Sequence, residues 1–310
     1  MLCDEPGYFN PTICYGTQGE FQMLKRIIFF LLTNLAVLVT FNIILAVMGG
    51  MFGVRIDPNT YGGLLFFCLI YGLLGSFVSL WLSKWTALHL TDGRVISTPQ
   101  TEEERWLLSV VERLAKEWGY KTPQLAIYQS PQPNAFATGP TRNRSLVAVS
   151  SGLLQMMNRD EIEGVIGHEM SHVGNGDMVT MALIQGVLNA FVYVIARAVG
   201  RLLSERLDLG ALGYWICFVV LQITFTLLAN IVVLYYSRRR EYAADAGSAR
   251  HVGVGKMIAA LQKLRYPIST ETRLPEAMNS FGIRENDEKT SIWATHPSID
   301  SRIAALRKMV

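Results

Sequence analysis

His168-Glu169-Met170-Ser171-His172 places two imidazoles and a carboxylate at the spacing that a metal ion and an attacking water require. In a helix, residues four apart share a face with Cβ atoms about 5–6 Å apart, so both imidazoles can reach one ion. Glu169 then stands beside the ion, placed to exchange a proton with water. With only 5 histidines in the chain, chance occurrence of this pentad is well under ~1%.

Catalytic zinc takes three protein ligands and leaves one position to water, so a third donor must come from elsewhere. Glu241 is the candidate. It opens Glu241-Tyr242-Ala243-Ala244-Asp245 on a second predicted helix, with Asp245 one turn further along the same face. Asp245 is suited to accept a hydrogen bond from a ligating histidine and so set its tautomer. His296, in Thr295-His296-Pro297, and Arg302 are candidates to donate to a developing oxyanion. The competing reading of His296 is a cap on the last helix. His89 and His251 have no ligand spacing and read as surface or packing residues. Cys3, Cys14, Cys68 and Cys217 form no Cys-x-x-Cys metal pair.

The pentad needs a helix, and its flanks predict one. Asn158 with Glu161 three residues later reads as a start, and Ile162, Val165, Ile166, Met170 and Val173 recur at helical spacing. Gly174, Asn175 and Gly176 end it. Upstream, Thr101-x-x-Glu104 starts a helix with an apolar stripe through Trp106, Leu107, Val110, Val111 and Leu114. Gln124 to Gln129 and Ser145 to Ser150 read as short strands joined by the turn-rich stretch Ser130 to Arg144. The edge near Ser145 to Ser150 is where an extended substrate is expected to pair. After Arg238 come helices through Leu264, a polar loop and a final helix from Ser298.

Half of the residues are hydrophobic and only 17% are charged, too apolar for an ordinary soluble enzyme. Ile27 to Gly53, Pro58 to Ser83, Met178 to Ala196 and Leu209 to Ser237 each lack any Asp, Glu, Lys or Arg. Each run approaches or exceeds the ~20 residues that cross a bilayer. The third is the shortest and holds Gln185 and Asn189, so a buried soluble helix competes with a span there. If His172 and Glu241 share an ion, the chain between them must leave and return on one side of the membrane. The third and fourth runs together satisfy this.

The expected organisation is a polar tail over 1–24, a transmembrane hairpin over 25–83, and a first half of the catalytic domain over 84–177. A second hairpin follows over 178–237, then the second half of the domain over 238–310. The long first apolar run argues against a cleavable signal. Met23 with Leu24-Lys25-Arg26 itself reads as a start, making residues 1–22 an extension. Lys25, Arg26, Lys84, Arg94 and Arg238 to Arg240 fall on one side of a four-span arrangement, the cytoplasmic side by the positive-inside rule. Arg55, Arg197, Arg201 and Arg206 vote the other way. A net charge of +3 is too small to imply nucleic acid, no basic stripe suggests it, and none is expected as a partner.

The pentad with Asn175-Gly176-Asp177, the stretch Glu241 to Asp245, Asn134-Ala135-Phe136-Ala137, Thr295-His296-Pro297 and Leu31-Leu32-Thr33-Asn34-Leu35-Ala36 together resemble the HtpX family of bacterial membrane-bound zinc metalloproteases, relatives of the CAAX prenyl proteases. The resemblance implies a predominantly helical α+β fold with a zincin-type (gluzincin) domain and four transmembrane helices. It implies an inner-membrane protein, its active site facing the cytoplasm, acting on membrane proteins in quality control and stress response. By motif match, His168, His172 and Glu241 hold one zinc ion per chain, Glu169 is the catalytic carboxylate, and Asn134, His296 and Arg302 line the substrate cleft.

Two other readings make different predictions. An intramembrane protease would bury the pentad in a span, against which Asp160, Glu161 and Glu163 argue, since they would be costly in lipid. A zinc-stabilised scaffold or chaperone would have no use for an unligated carboxylate beside the metal.

Overall fold

The structure, a computed structural model, describes residues 61–265 and 296–309 together with four isolated helical positions, 39, 43, 47 and 50. The polar tail with Cys3 and Cys14, most of the first apolar run, Arg55 and Thr295 lie outside the described residues.

A long helix α1 (Tyr61–Thr91) leads to β1 (Arg94–Val95), α2 (Glu102–Trp118), β2 (Gln124–Tyr128) and β3 (Ala135–Thr138). After a 3-10 turn (Arg142–Arg144) come β4 (Leu146–Ser150), α3 (Ser151–Met156) and the pentad helix α4 (Arg159–Asn175). Two long helices, α5 (Asp177–Leu207) and α6 (Gly210–Val252), form a hairpin, and α7 (Val254–Leu264) and α8 (Ile299–Arg307) complete the domain.

Local chemistry sets the ends of the site-bearing helices. Asn158 accepts the Glu161 N–H while Glu161 reaches back to the Asn158 N–H, a complete capping box at the start of α4. At the other end Gly176 is left-handed, with φ 71°, and its N–H donates to the carbonyls of His172 and Val173. That turn starts α5 immediately and brings Asp177 back toward the pentad. In α2, Thr101 caps the Glu104 N–H; the Glu104 carboxylate accepts from Gln100 N at 2.7 Å and pairs with Arg94, tying the helix to β1.

The sheet runs β1-β2-β4-β3. β2 and β4 are parallel, with Ala126 opposite Ala148, whereas β3 is antiparallel to β4, with Ala137 opposite Val147. Every residue of β4 is buried, because both faces of the sheet are covered. One face, with Leu125, Val147 and Val149, packs on α2, α4 and α7 through Leu107, Val111, Val165, Ile166, Met257 and Leu261. The opposite face, with Ala126, Phe136 and Ala148, meets Ala87 and its neighbours near the end of α1. A helix arriving from an apolar run thus forms one wall of the catalytic domain.

Among the described residues, α1, α5 and α6 are long and apolar enough to cross a bilayer. α5 does not stop at Ala196. Its 31 residues measure about 46 Å at 1.5 Å each, more than a hydrocarbon core of ~30 Å. Gln185 donates to Asn189 at 2.9 Å, so the two polar side chains within the run satisfy one another. Gly72 and Gly186 set the crossing of α1 and α5, where a Cβ on Gly72 would lie 2.5 Å from the Gly186 carbonyl oxygen. The expected boundaries at 83/84 and 237/238 fall inside α1 and α6. Charge marks where the chain leaves an apolar slab, while backbone hydrogen bonding continues past that point.

Candidate metal centre

His168 and His172 come from α4 and Glu241 from α6, and one ligand atom of each lies within 4.8 Å of the others. The two Nε2 atoms are 3.1 Å apart, and the Glu241 carboxylate straddles them, with Oε2 3.3 Å from His168 Nε2 and Oε1 3.4 Å from His172 Nε2. A tetrahedral ion with bonds of about 2.0–2.1 Å has ligand–ligand edges of roughly 3.3–3.4 Å, the scale on which these two imidazoles and the carboxylate gather. The Glu241 side chain is fully buried, and its oxygens sit among ring nitrogens and guanidinium groups rather than in well-formed hydrogen bonds. A buried carboxylate so placed gains from a cation set directly among these ligand atoms.

The outer nitrogens of both histidines are committed. His168 Nδ1 donates to Asp245 at 2.9 Å and His172 Nδ1 to Asp177 at 2.6 Å. Each proton is therefore fixed away from the centre, and both Nε2 lone pairs point into it. Asp245 lies where the α6 spacing placed it. Asp177 has no ligand spacing to the pentad, and its one sequence signal is position, directly after the glycine that turns the chain back.

Arg302 differs from its expected place beside an oxyanion. Its Nε and Nη2 bind both oxygens of Asp245 at 2.7 and 2.6 Å, and its Nη1 lies 3.6 Å from Glu241. The side chain is only 1% exposed, so the guanidinium braces the two carboxylates from within the core. Burial acts to lower its pKa, but the charge of Asp245 overcomes this and holds it above the ordinary range. His296 is buried, with Nδ1 3.0 Å from Glu241. It reaches the centre itself, whereas the helix cap is made by Ser298.

Glu169 lies on the same helix and is buried beside β3, where its carboxylate accepts the Ala137 N–H. Burial pushes its pKa above the usual carboxylate range, although the neighbouring histidines and the Ala137 N–H act against the shift. Asn134 is buried at the entry to β3; its N–H donates to Ser150 Oγ and its carbonyl accepts the Ser150 N–H, both at 2.9 Å. The expected substrate edge at Ser145 to Ser150 is corrected by this sheet: β4 is internal, and the edge strand next to Glu169 is β3. The sequence hid β3 inside a turn-rich stretch, because four residues with two alanines carry little strand signal.

Two histidines a helical turn apart, a glutamate from a second helix and an unligated carboxylate next to the first histidine define a metallopeptidase. The small sheet laid against the pentad helix agrees with that class. The chain belongs to peptidase family M48, whose sequence profile matches residues 101–310. It is 50% identical over 292 residues to the protein named "Protease HtpX homolog" of Neisseria meningitidis serogroup B, covering 92% of this chain and 100% of the relative. It is 48% identical over 292 residues to "Protease HtpX" of Shewanella baltica strain OS195, covering 92% and 99%. Its fold is similar to the crystal structure of S. mikatae Ste24p, with a TM-score of 0.61, 16% identity and 92% of this chain covered. The chain spans 64% of that structure's length. The chain is a metalloprotease of a zinc-dependent family.

Proposed function

We propose that the chain is a membrane-embedded zinc endopeptidase that hydrolyses peptide bonds of damaged or misfolded membrane proteins at the cytoplasmic face of the bacterial inner membrane. His168, His172 and Glu241 hold one zinc ion per chain in this reading. The observation that carries it is the meeting of three buried ligand atoms where α4 faces the end of α6, beyond that helix's apolar run. Lys84, Arg94 and Arg238 to Arg240 follow the apolar runs on that same side, which supports a cytoplasmic placement.

Zinc held there supplies a Lewis acid that polarises a peptide carbonyl and acidifies water. Glu169 takes the proton of the attacking water and returns it to the leaving nitrogen. Its burial suits the first half, since burial disfavours the charged form and makes the carboxylate a stronger base. Asp245 and Asp177 hold the histidines in the ligating tautomer, and Arg302 neutralises Asp245 from behind. The β3 edge offers backbone groups to an extended substrate beside Glu169.

Glu169→Gln tests the proposal against a zinc-stabilised scaffold. Purified in detergent and assayed on a panel of quenched-fluorescence peptides, the variant should keep its zinc while cleavage falls by about 10²–10⁴-fold. Undiminished cleavage with zinc in place would remove Glu169 from the mechanism.

A further inference from the structure

The hairpin end remote from the metal holds a second built feature. A cavity of about 340 Å³ opens between α5 and α6, lined by Tyr193, Arg197, Arg201, Tyr214, Trp215 and Phe218. A single water needs only ~15 Å³, and small-molecule sites begin near ~300 Å³, so the space suits a polar group larger than water. Arg197 and Arg201 stand one turn apart and present two guanidinium groups to it. No described carboxylate pairs with either, and Arg197 Nε is buried without a hydrogen-bond partner among the described residues. An arginine left so beside an apolar run calls for an anion.

The depth of the cavity identifies which anion. Arg197 lies about 30 Å along α5 from Asp177, one hydrocarbon thickness from the metal centre, at the level of the other leaflet's headgroups. Tyr and Trp concentrate at that level, and three aromatic rings of α6 cluster there, with Trp215 and Phe218 edge-to-face at 5.8 Å. The guanidinium fork matches phosphate oxygens in pairs. From the cavity, the exposed side chains Ile216, Val219, Val220 and Ile223 continue along α6 toward the bilayer centre, a track for an acyl chain. The arginines that oppose the positive-inside bias thus have a local ligand to serve.

We infer that Arg197 and Arg201 bind the phosphate of an anionic phospholipid, its headgroup in the cavity and a chain along α6. The inference rests on the reading that α5 and α6 span a bilayer. Alkaline carbonate extraction of membranes separates the two: release of the chain would defeat spanning, and this site with it.

The site itself is tested on the full-length protein in detergent, titrated with phosphatidylglycerol or with phosphatidylcholine of the same acyl chains and read by native mass spectrometry. One phosphatidylglycerol should be retained at least about tenfold more tightly. Equal retention of the two lipids by the unaltered protein would overturn the inference without recourse to a variant. Arg197→Gln with Arg201→Gln should reduce phosphatidylglycerol to the phosphatidylcholine level while zinc content holds, and Arg201→Lys should keep part of the preference. A double variant that retains the full preference would place the lipid elsewhere. Inorganic phosphate at millimolar concentration should not displace the lipid; if it does, the ligand is a soluble anion and the lipid assignment fails.

Discussion

The Nε2 atoms of His168 and His172 face one another across 3.1 Å although both act as acceptors. In the neutral rings Asp245 and Asp177 take the Nδ1 protons, which is what leaves both Nε2 atoms as acceptors. Two lone pairs and a buried carboxylate converging on one point repel one another unless a cation sits among them. With protein groups alone around it, His168 shows that field: burial acts to lower its pKa, yet Asp245 and Glu241 raise it to about 9.

Asp177→Asn tests the support of His172. The amide can still accept the Nδ1 proton but withdraws the charge that makes Nε2 a strong donor. Zinc affinity should fall about 10–100-fold, as loss of such partners typically does. Competition with a chromogenic chelator measures it, and unchanged affinity would reduce Asp177 to a helix-start residue.

Arg302 separates bracing from catalysis. Removing one partner of a buried charge pair costs about 3–5 kcal/mol because the other charge stays behind. Arg302→Met should therefore lower thermal stability markedly, with the buried Asp245 charge left without its bidentate partner, and Arg302→Lys should recover part of it. A variant that unfolds like the parent but cleaves slowly would instead restore the oxyanion role.

Much of the centre was readable because it lies on helices. The i, i+4 spacing fixes a face, and so the pentad, Glu241 and Asp245 could be placed before any tertiary contact was known. The capping residues Thr101 and Asn158 were equally local, and each makes its expected bond. What escaped depends on distant pairing. β3 exists because Ala135 to Thr138 bond β4, and which strand lies at the edge is a property of sheet order. Arg302 looked like a cleft residue because nothing nearby in sequence reveals that α8 inserts it beside Asp245.

Ala137→Pro tests the edge strand. The substitution deletes the N–H that Glu169 accepts, and proline is tolerated at a sheet edge where its nitrogen faces away from the partner strand. A hydrogen bond to a charged group contributes about 1.5–3 kcal/mol, so kcat should fall roughly 10–100-fold while zinc stays bound. An unaltered kcat would show that Glu169 needs no help from β3.

The meeting of α4 and α6 depends on Gly247. A Cβ there would lie 2.0 Å from Ser171 Oγ and 2.9 Å from Ser171 Cβ, and rotating the hydroxyl away would relieve only the first of these contacts. Gly247→Ala should therefore force the helices apart and destabilise the protein by about 1–3 kcal/mol, the usual cost of overpacking. Because Glu241 shares α6 with Gly247 and the histidines share α4 with Ser171, the same displacement should weaken zinc binding. Ser171→Gly in the same chain removes the obstructing atoms, so the double variant should regain most of both losses. Thermal unfolding and zinc titration of the four proteins in this cycle give the coupling; simple additivity would mean that the crossing is not what aligns Glu241 with the pentad.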